Sequence, residues 1–269
     1  MSNQSFRNLH RAPGLLLLPN AWDCVTARMI ESLGAKAIAT TSAGLAWSRG
    51  YPDGNALPVE HLIAATRDIA RVIQVPLTVD IEARYSEDPD EVARLVVRVL
   101  AVGAVGINLE DGAGSPDLLC RKIAAIRDHV AHSGDDLFIN ARTDVYLRGV
   151  ASGEAASDET IRRAARYREA GCDGLFVPGL SAADTMRAIS AAIEPTPLNI
   201  MAVPNLPTID TLKRSGVRRL SAGSSIAQAA LGCTTRLVSR FLAGTLSEMY
   251  DGSANYGAMN KLFATNAHG

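Results

Sequence analysis

Neither sign of charge prevails in this sequence. Its 269 residues carry 27 Lys+Arg and 28 Asp+Glu, a formal net charge of −1, which removes the electrostatic ground for a nucleic-acid or anionic-membrane partner. Long apolar runs are missing too, since no stretch nears the ~20 residues that span a bilayer. The run Leu15–Leu18 is too short for the core of a secretion signal, and no small-residue cleavage site follows it. A cytoplasmic protein is the plain expectation. Cysteine is sparse: Cys24, Cys120, Cys172 and Cys233 form no CxxC pair and have no histidine at metal-ligand spacing. Free structural thiols are therefore expected, not a disulfide framework. Also absent are a Pro/Gly-rich linker, a short-period repeat and a low-complexity tract.

What is present is a regular alternation. Short apolar runs suited to burial on both faces of a parallel sheet occur at Leu15–Leu18, Ala37–Thr41, Leu77–Glu82, Gly106–Glu110, Leu137–Ala141, Gly174–Val177, Leu198–Val203 and Arg219–Ala222. Helical patterns follow them at Cys24–Leu33, Val59–Val72, Pro89–Ala101, Leu119–Ala131, Asp158–Ala170, Ala182–Ala192, Thr208–Ser215 and Ser225–Ala243. Repeated βα units predict a parallel sheet with helices outside. Eight of them suffice to close a (β/α)₈ TIM barrel, and barrels of about 250 residues are commonly one domain. Residues 1–269 are thus read as a single barrel domain with a short N-terminal helix and a C-terminal extension from Ser247. An open doubly wound sheet is the runner-up. It lacks its GxGxxG fingerprint, because the first strand runs into Pro19-Asn20-Ala21-Trp22-Asp23.

Barrel chemistry sits where the strands end. The third strand ends in Val79-Asp80-Ile81-Glu82, and period-two alternation turns Asp80 and Glu82 towards the mouth. The fourth ends in Asn108-Leu109-Glu110-Asp111, aligning Asn108 with Glu110, and the fifth in Asn140-Ala141-Arg142-Thr143-Asp144. Any one acidic strand end is equally well read as a salt-bridged rim, with Arg84 and Arg142 as partners. Three neighbouring ends of this kind favour a metal site, because converging carboxylates repel unless a cation or protons neutralise them. Oxygen-only ligands suit a hard ion such as Mg²⁺. The small residues Thr41-Ser42-Ala43-Gly44-Leu45 after the second strand leave backbone N–H groups open to an anion such as a substrate carboxylate, and taken alone are equally well read as a tight loop. Asp53 lies in a turn-rich segment, Gly50–Asn55, that can close over the mouth.

In order, PNAWD, TTSAGLAWSRGYPDGN, VDIEARYSEDP, GINLEDG, INARTDVYL, GLFVPG and GVRRLSAGSSI resemble the isocitrate lyase/phosphoenolpyruvate mutase superfamily over roughly Leu15–Leu242. The resemblance implies a (β/α)₈ barrel whose eighth helix is often swapped between subunits, a homodimer or homotetramer, and Mg²⁺ or Mn²⁺ in the mouth. By position, Asp80 resembles the acid that touches the metal, and Glu82 and Glu110 the acids that hold its waters, together with Asp53. Ala43, Gly44 and Leu45 are similar to the SGL loop that binds the substrate carboxylate. Arg142 resembles the arginine that binds the substrate oxygens. Asp53 and Arg142 are the catalytic candidates, and Trp47 and Asn199 are expected to help line the pocket, as is Met201.

The departures narrow the chemistry. The lyases' KKCGH loop is replaced by Gly112-Ala113-Gly114-Ser115-Pro116-Asp117-Leu118-Leu119-Cys120, in which Cys120 has no flanking His or Lys-Lys to lower its pKa. The Lys- and Asn-containing loop of the mutase and hydrolase members is missing as well. SGL becomes Ala43-Gly44-Leu45, the second acid of DxD is Glu82, and the glutamate after strand six is Gly179. The activity expected is Mg²⁺-dependent cleavage of a C–C bond in a small 2-oxo or 2-hydroxy di-acid through a metal-stabilised enolate. P–C bond chemistry of the phosphonopyruvate type and a non-catalytic metabolite-binding barrel are the alternatives. A phosphate-sugar barrel would use Ser221-Ala222-Gly223-Ser224-Ser225 as its phosphate turn. The simpler reading of that run is an N-cap by Ser224 or Ser225. His10, His61, His129, His132 and His268 lie away from strand ends, so none is a favoured base.

Overall fold

Strands two to five residues long hold together when covered on both sides, and this sequence supplies both covers. The computed structural model describes residues 3–83 and 85–264; Arg84, expected as a rim cation, and His268 lie outside them. The chain begins with α1 (Asn3–Arg11), β1 (Leu16–Leu18), β2 (Asn20–Ala21), α2 (Cys24–Ser32), β3 (Ile38–Thr40), α3 (Ser42–Trp47) and α4 (Val59–Val72). It continues through β4 (Leu77–Asp80), α5 (Pro89–Ala101), β5 (Gly106–Glu110), α6 (Pro116–Ser133), β6 (Phe138–Arg142) and α7 (Gly153–Glu169). Then come β7 (Gly174–Phe176), α8 (Ala183–Ala192), β8 (Leu198–Met201), α9 (Ile209–Arg214), β9 (Val217–Ser221), α10 (Ser225–Leu242) and α11 (Tyr256–Ala264).

All strand pairings are parallel, and the sheet runs β1-β9-β8-β7-β6-β5-β4-β3-β2. Pro19 separates β1 from β2 because it has no N–H to give, yet its carbonyl accepts from the Ala39 N–H at 3.0 Å. The two pieces act as one bent first strand, which pairs with β9 through Leu16–Leu18 and with β3 through Asn20–Ala21. The ring therefore closes as the expected (β/α)₈ barrel, nine segments filling eight positions.

Several boundaries differ from the sequence reading for physical reasons. β4 stops at Asp80 because Glu82 has φ of 56°, in the left-handed region that no strand continues through. The segment read as an open loop after β3 is instead α3, with Thr41 as its N-cap. α6 begins at Pro116, where Ser115 caps the Asp117 N–H at 3.1 Å. Ser224 stands at the N-cap of α10 but its side chain caps nothing. The N–H groups of Ala222 and Gly223 are taken instead by Asn20 Oδ1, each at 2.9 Å. A phosphate would find these donors already used.

Alternate strand residues divide the interior in two. Val79, Ile107, Leu109, Ile139, Leu175 and Ile200 face the helices in the main core, and the opposite set faces into the barrel. The barrel's lower end is stopped by α1, where Phe6 packs with Leu16, Leu18, Ala37, Ala39, Val105 and Phe138. His10 stacks on Phe138 at 4.1 Å between centroids. One flank stays bare. Past Ala227 no side chain of α10 is buried, and Leu231, Val238 and Phe241 are each about half exposed. Between α2 and the start of α10 lies an apolar groove of about 840 Å³, lined by Leu15, Leu17, Met29, Ile30, Leu33 and Ile226 among others. Among the described residues no helix is long and apolar enough to cross a membrane.

Candidate active site

Acidic side chains gather at the upper end of β4 and β5. Asp80 ends β4; its N–H donates to Thr40 Oγ1 at 2.9 Å, and its Oδ1 accepts the Glu82 N–H at 3.2 Å. Ser42, at the start of α3, also hydrogen-bonds the Asp80 carboxyl. The left-handed turn at Glu82, not strand alternation, brings its carboxylate back to accept the Asn55 N–H. That bond anchors the turn holding Asp53. Glu110 ends β5 and meets Arg142 Nη1 at 2.5 Å. Arg142 is also held from the other side, its Nε 2.6 Å and its Nη2 3.1 Å from the two oxygens of Asp144.

The electrostatics follow from this crowding. Burial first, then the charges of Asp80 and Asp53, push the Glu82 carboxyl up to about 7. Burial pushes Glu110 up to about 8, with Arg142 opposing and Asp80 adding to the rise. Asp80 is raised as well, chiefly by burial, against the pull of Arg142. Glu82 and Glu110 therefore hold protons near neutrality unless a cation replaces them. Among the described residues no three His, Cys, Asp or Glu side chains are already drawn into a metal-ligand cage. The donors are nonetheless hard oxygens around shared negative charge, which fits a divalent ion that keeps most of its waters.

The structure brings Asp53, Asp80, Glu82, Glu110 and Arg142 within electrostatic reach of one another. Ala43, Gly44 and Leu45 are buried in α3, and the helix changes what their amides can do. The Leu45 N–H is spent on the Thr41 carbonyl at 3.0 Å, while the Gly44 N–H is a long 3.5 Å from Thr41 Oγ1. Of these three amides, that of Ala43 belongs to the open first turn and that of Gly44 is held by the long N-cap bond to Thr41. A side chain at Gly44 would stand 2.8 Å from Trp22 Cβ, so glycine lets α3 approach. Trp47 closes α3 and is 37% exposed. Asn199, expected to line the pocket, is instead buried, because both ends of its amide are used inside the barrel. Its Oδ1 accepts from Asn140 Nδ2 at 3.0 Å and its Nδ2 donates to the Ile200 carbonyl at 2.7 Å. Cys120 faces α7, where burial pushes its thiol up.

Three contributors went unselected in the sequence. Ser42 and Asp144 lie in quoted motifs, and period two from Arg142 would have pointed to Asp144. Asp111, next to Glu110, turns away from the mouth and ties β5 to α7. Its carboxylate accepts from Arg163 Nη1 at 2.7 Å, Tyr167 Oη at 2.6 Å, Thr143 Oγ1 at 2.9 Å and the Asp144 N–H at 2.9 Å.

The phosphoenolpyruvate phosphomutase family model matches residues 6–242. A protein of Mycobacterium tuberculosis is 39% identical over 225 residues, 82% of each chain. The 2-methylisocitrate lyase of Bacillus subtilis is 27% identical over 202 residues, covering 72% of this chain and 64% of that one. The crystal structure of oxaloacetate acetylhydrolase superposes with a TM-score of 0.86 at 25% identity, covering 97% of this chain and 93% of that chain. The same enzyme has been solved with its product oxalate.

Proposed function

The chain belongs to the phosphoenolpyruvate phosphomutase family, and from that premise we propose that it is a lyase cleaving a C–C bond in a small 2-oxo or 2-hydroxy di-acid through an enolate. The observation that carries this reading is the group of four carboxylates, Glu82 buried, Asp80 and Glu110 half-buried and Asp53 on the exposed turn above them, braced by Arg142. Relatives named 2-methylisocitrate lyase and oxaloacetate acetylhydrolase support the carbon–carbon reading.

Each side chain has a definite task in this scheme. A Mg²⁺ or Mn²⁺ ion held by Asp80, with Asp53, Glu82 and Glu110 holding its waters, would supply Lewis acidity for the charge on the substrate oxygens. The first-turn amides of α3 at Ala43 and Gly44 face the substrate carboxylate. Arg142, fixed in orientation by Glu110 and Asp144, presents positive charge to the enolate oxygen without reorganising. In a 2-oxo di-acid the C3–C4 bond breaks, the far carboxylate leaves as CO2 and the electron pair enters the C2–C3 enolate. In a 2-hydroxy di-acid the C2–C3 bond breaks, C2 becomes a carbonyl as its hydroxyl proton passes to solvent, and the pair enters the enolate of the other carboxylate fragment. Either enolate then takes a proton from water at carbon. No dedicated acid from the loop after β5 is required, and Cys120 is left without a role. The apolar groove beside α2 and the bare face of α10 further lead us to propose a homo-oligomer in which a second copy covers both.

The test is a panel of 2-oxo and 2-hydroxy di-acids and phosphonopyruvate, assayed with Mg²⁺ and after EDTA. Turnover of a di-acid, inhibition by oxalate, and loss of activity in a folded Asp80→Ala variant are expected. Full turnover in EDTA refutes the scheme, and turnover of phosphonopyruvate alone replaces it with P–C cleavage.

A further inference from the structure

One layer beneath the acids, the barrel encloses a second arginine that the proposed chemistry does not touch. Arg219, on β9, is 1% exposed. Its Nη2 donates to Asn108 Oδ1 at 3.1 Å, and the same oxygen accepts from Asn140 Nδ2 at 2.9 Å. Asn108 is the register partner of Asp80 across β4 and β5, so the guanidinium lies directly under the strand end that carries Asp80. On its other side is the stopper at the base, where the His10 imidazole donates from Nδ1 to the Phe6 carbonyl and is held neutral, its pKa brought down to about 3 by burial and by Arg219.

Hydrogen bonding does not explain an arginine at this place. Nε and Nη1 are both buried and have no partner among the described residues, so the planar fork for which arginine is usually chosen goes largely unused. No ion pair within 4 Å is formed by Arg219 among those residues, and the carboxylate that acts on it is that of Asp80. Burial draws its pKa down to about 9, which leaves it charged at neutral pH. What the side chain contributes is therefore charge. We propose that Arg219 is a fixed internal cation that sets how tightly the acidic cluster binds a divalent ion, opposing the ion from beneath Asp80. The inference rests on the reading that the cluster takes such an ion. It acts through Asp80 and Asn108, so Arg219 is a positioning residue and meets no substrate.

Calorimetric titration of Mg²⁺ into the EDTA-stripped full chain at pH 8 tests this without reference to turnover. A doubly charged ion feels twice the repulsion of a unit charge at the same distance, so Arg219→Met is expected to bind Mg²⁺ roughly tenfold more tightly, or better. Arg219→Gln, which can still donate to Asn108, is expected to do the same and serves where the Met variant does not fold. Arg219→Lys, which keeps the charge and loses the fork, is expected to stay within about twofold of the parent. Unchanged or weaker binding in the neutral variants overturns the proposal, as does a lysine variant that shifts as they do. A parent protein that takes up no Mg²⁺ defeats the metal reading itself, an outcome distinct from a bound ion indifferent to residue 219.

Discussion

Replacing Asp111 with asparagine is the sharpest probe of how the site is held. The carboxylate is fully buried in its side chain and faces a guanidinium, a phenol, a hydroxyl and a backbone N–H. Asparagine keeps the shape but sets an NH₂ against donors and strips Arg163, itself only 9% exposed in its side chain, of its counter-charge there. Glu159 still reaches Arg163 Nε at 2.6 Å, which tempers the loss. Breaking a buried pair by removing one partner costs ~3–5 kcal/mol. At ~2.1 cal/mol/K per residue the unfolding entropy of a chain this long makes that a fall in Tm of about 5–9 °C. Differential scanning calorimetry and urea unfolding measure it directly. A double variant with Arg163→Met should recover part of the loss, because the orphaned cation goes too. A change in stability below ~1 kcal/mol, or strict additivity in the double variant, would refute the account of Asp111 as the hub joining β5 to α7. Because Asp111 also fixes the Asp144 N–H, kcat should fall alongside stability.

Two further outcomes follow from the same reasoning. Glu82 and Glu110 carry folded pKa values of about 7 and about 8 against an ordinary 4.5. A carboxyl raised on folding binds its proton more tightly in the folded state, so its stabilising effect is present below 4.5 and is lost as pH climbs through 7 to 8. In EDTA the urea midpoint should therefore decline between pH 5 and pH 9, less steeply in Glu110→Gln, and Mg²⁺ should flatten the decline; a midpoint that rises across this interval contradicts the assignment. Leu231→Asp or Phe241→Asp, on the bare face of α10, should raise the dissociation constant of a homo-oligomer roughly tenfold or more, since burying such a side chain is worth ~1.5–3 kcal/mol. Light scattering coupled to gel filtration reads this out, and an unchanged mass at low concentration rules out that face as the interface.

Much of the fold was legible because local signals agreed with one another. Val59–Val72 and Pro89–Ala101 have the bounds expected from their periodicity and, for the second, from Asp88-Pro89 at its start. Gly106–Glu110 is equally faithful, an apolar strand closed by an acid. α3 was hidden because six residues are too few to show a helical period, and Ser42-Ala43-Gly44 reads as loop composition. The reach of Glu82 into the cluster depends on a left-handed residue, which period-two reasoning cannot express. Asn108 was legible as aligned with Glu110 and Asn199 as pocket-lining, while Asn140 and Arg219 carried no local sign of a role. That they bond to one another inside the ring depends on the register of strands up to 111 residues apart, which no local pattern encodes. Asp111 went unselected for the same reason: its partners on α7 are 52 and 56 residues away.

The seam between β1 and β9 has a bearing on biosynthesis. Leu16 takes its place only against Arg219, 203 residues later in the chain. At ribosomal rates of about 5–20 residues per second, the opening segment waits on the order of 10–40 s for its neighbour. Until then the outer edges of β1 and β8 lack the strand that joins them, so the nascent polypeptide is an open ribbon with two unsatisfied margins. Holding that ribbon apart from its fellows is a task for chaperones, and slowing synthesis ahead of Val217 would be felt first as aggregation.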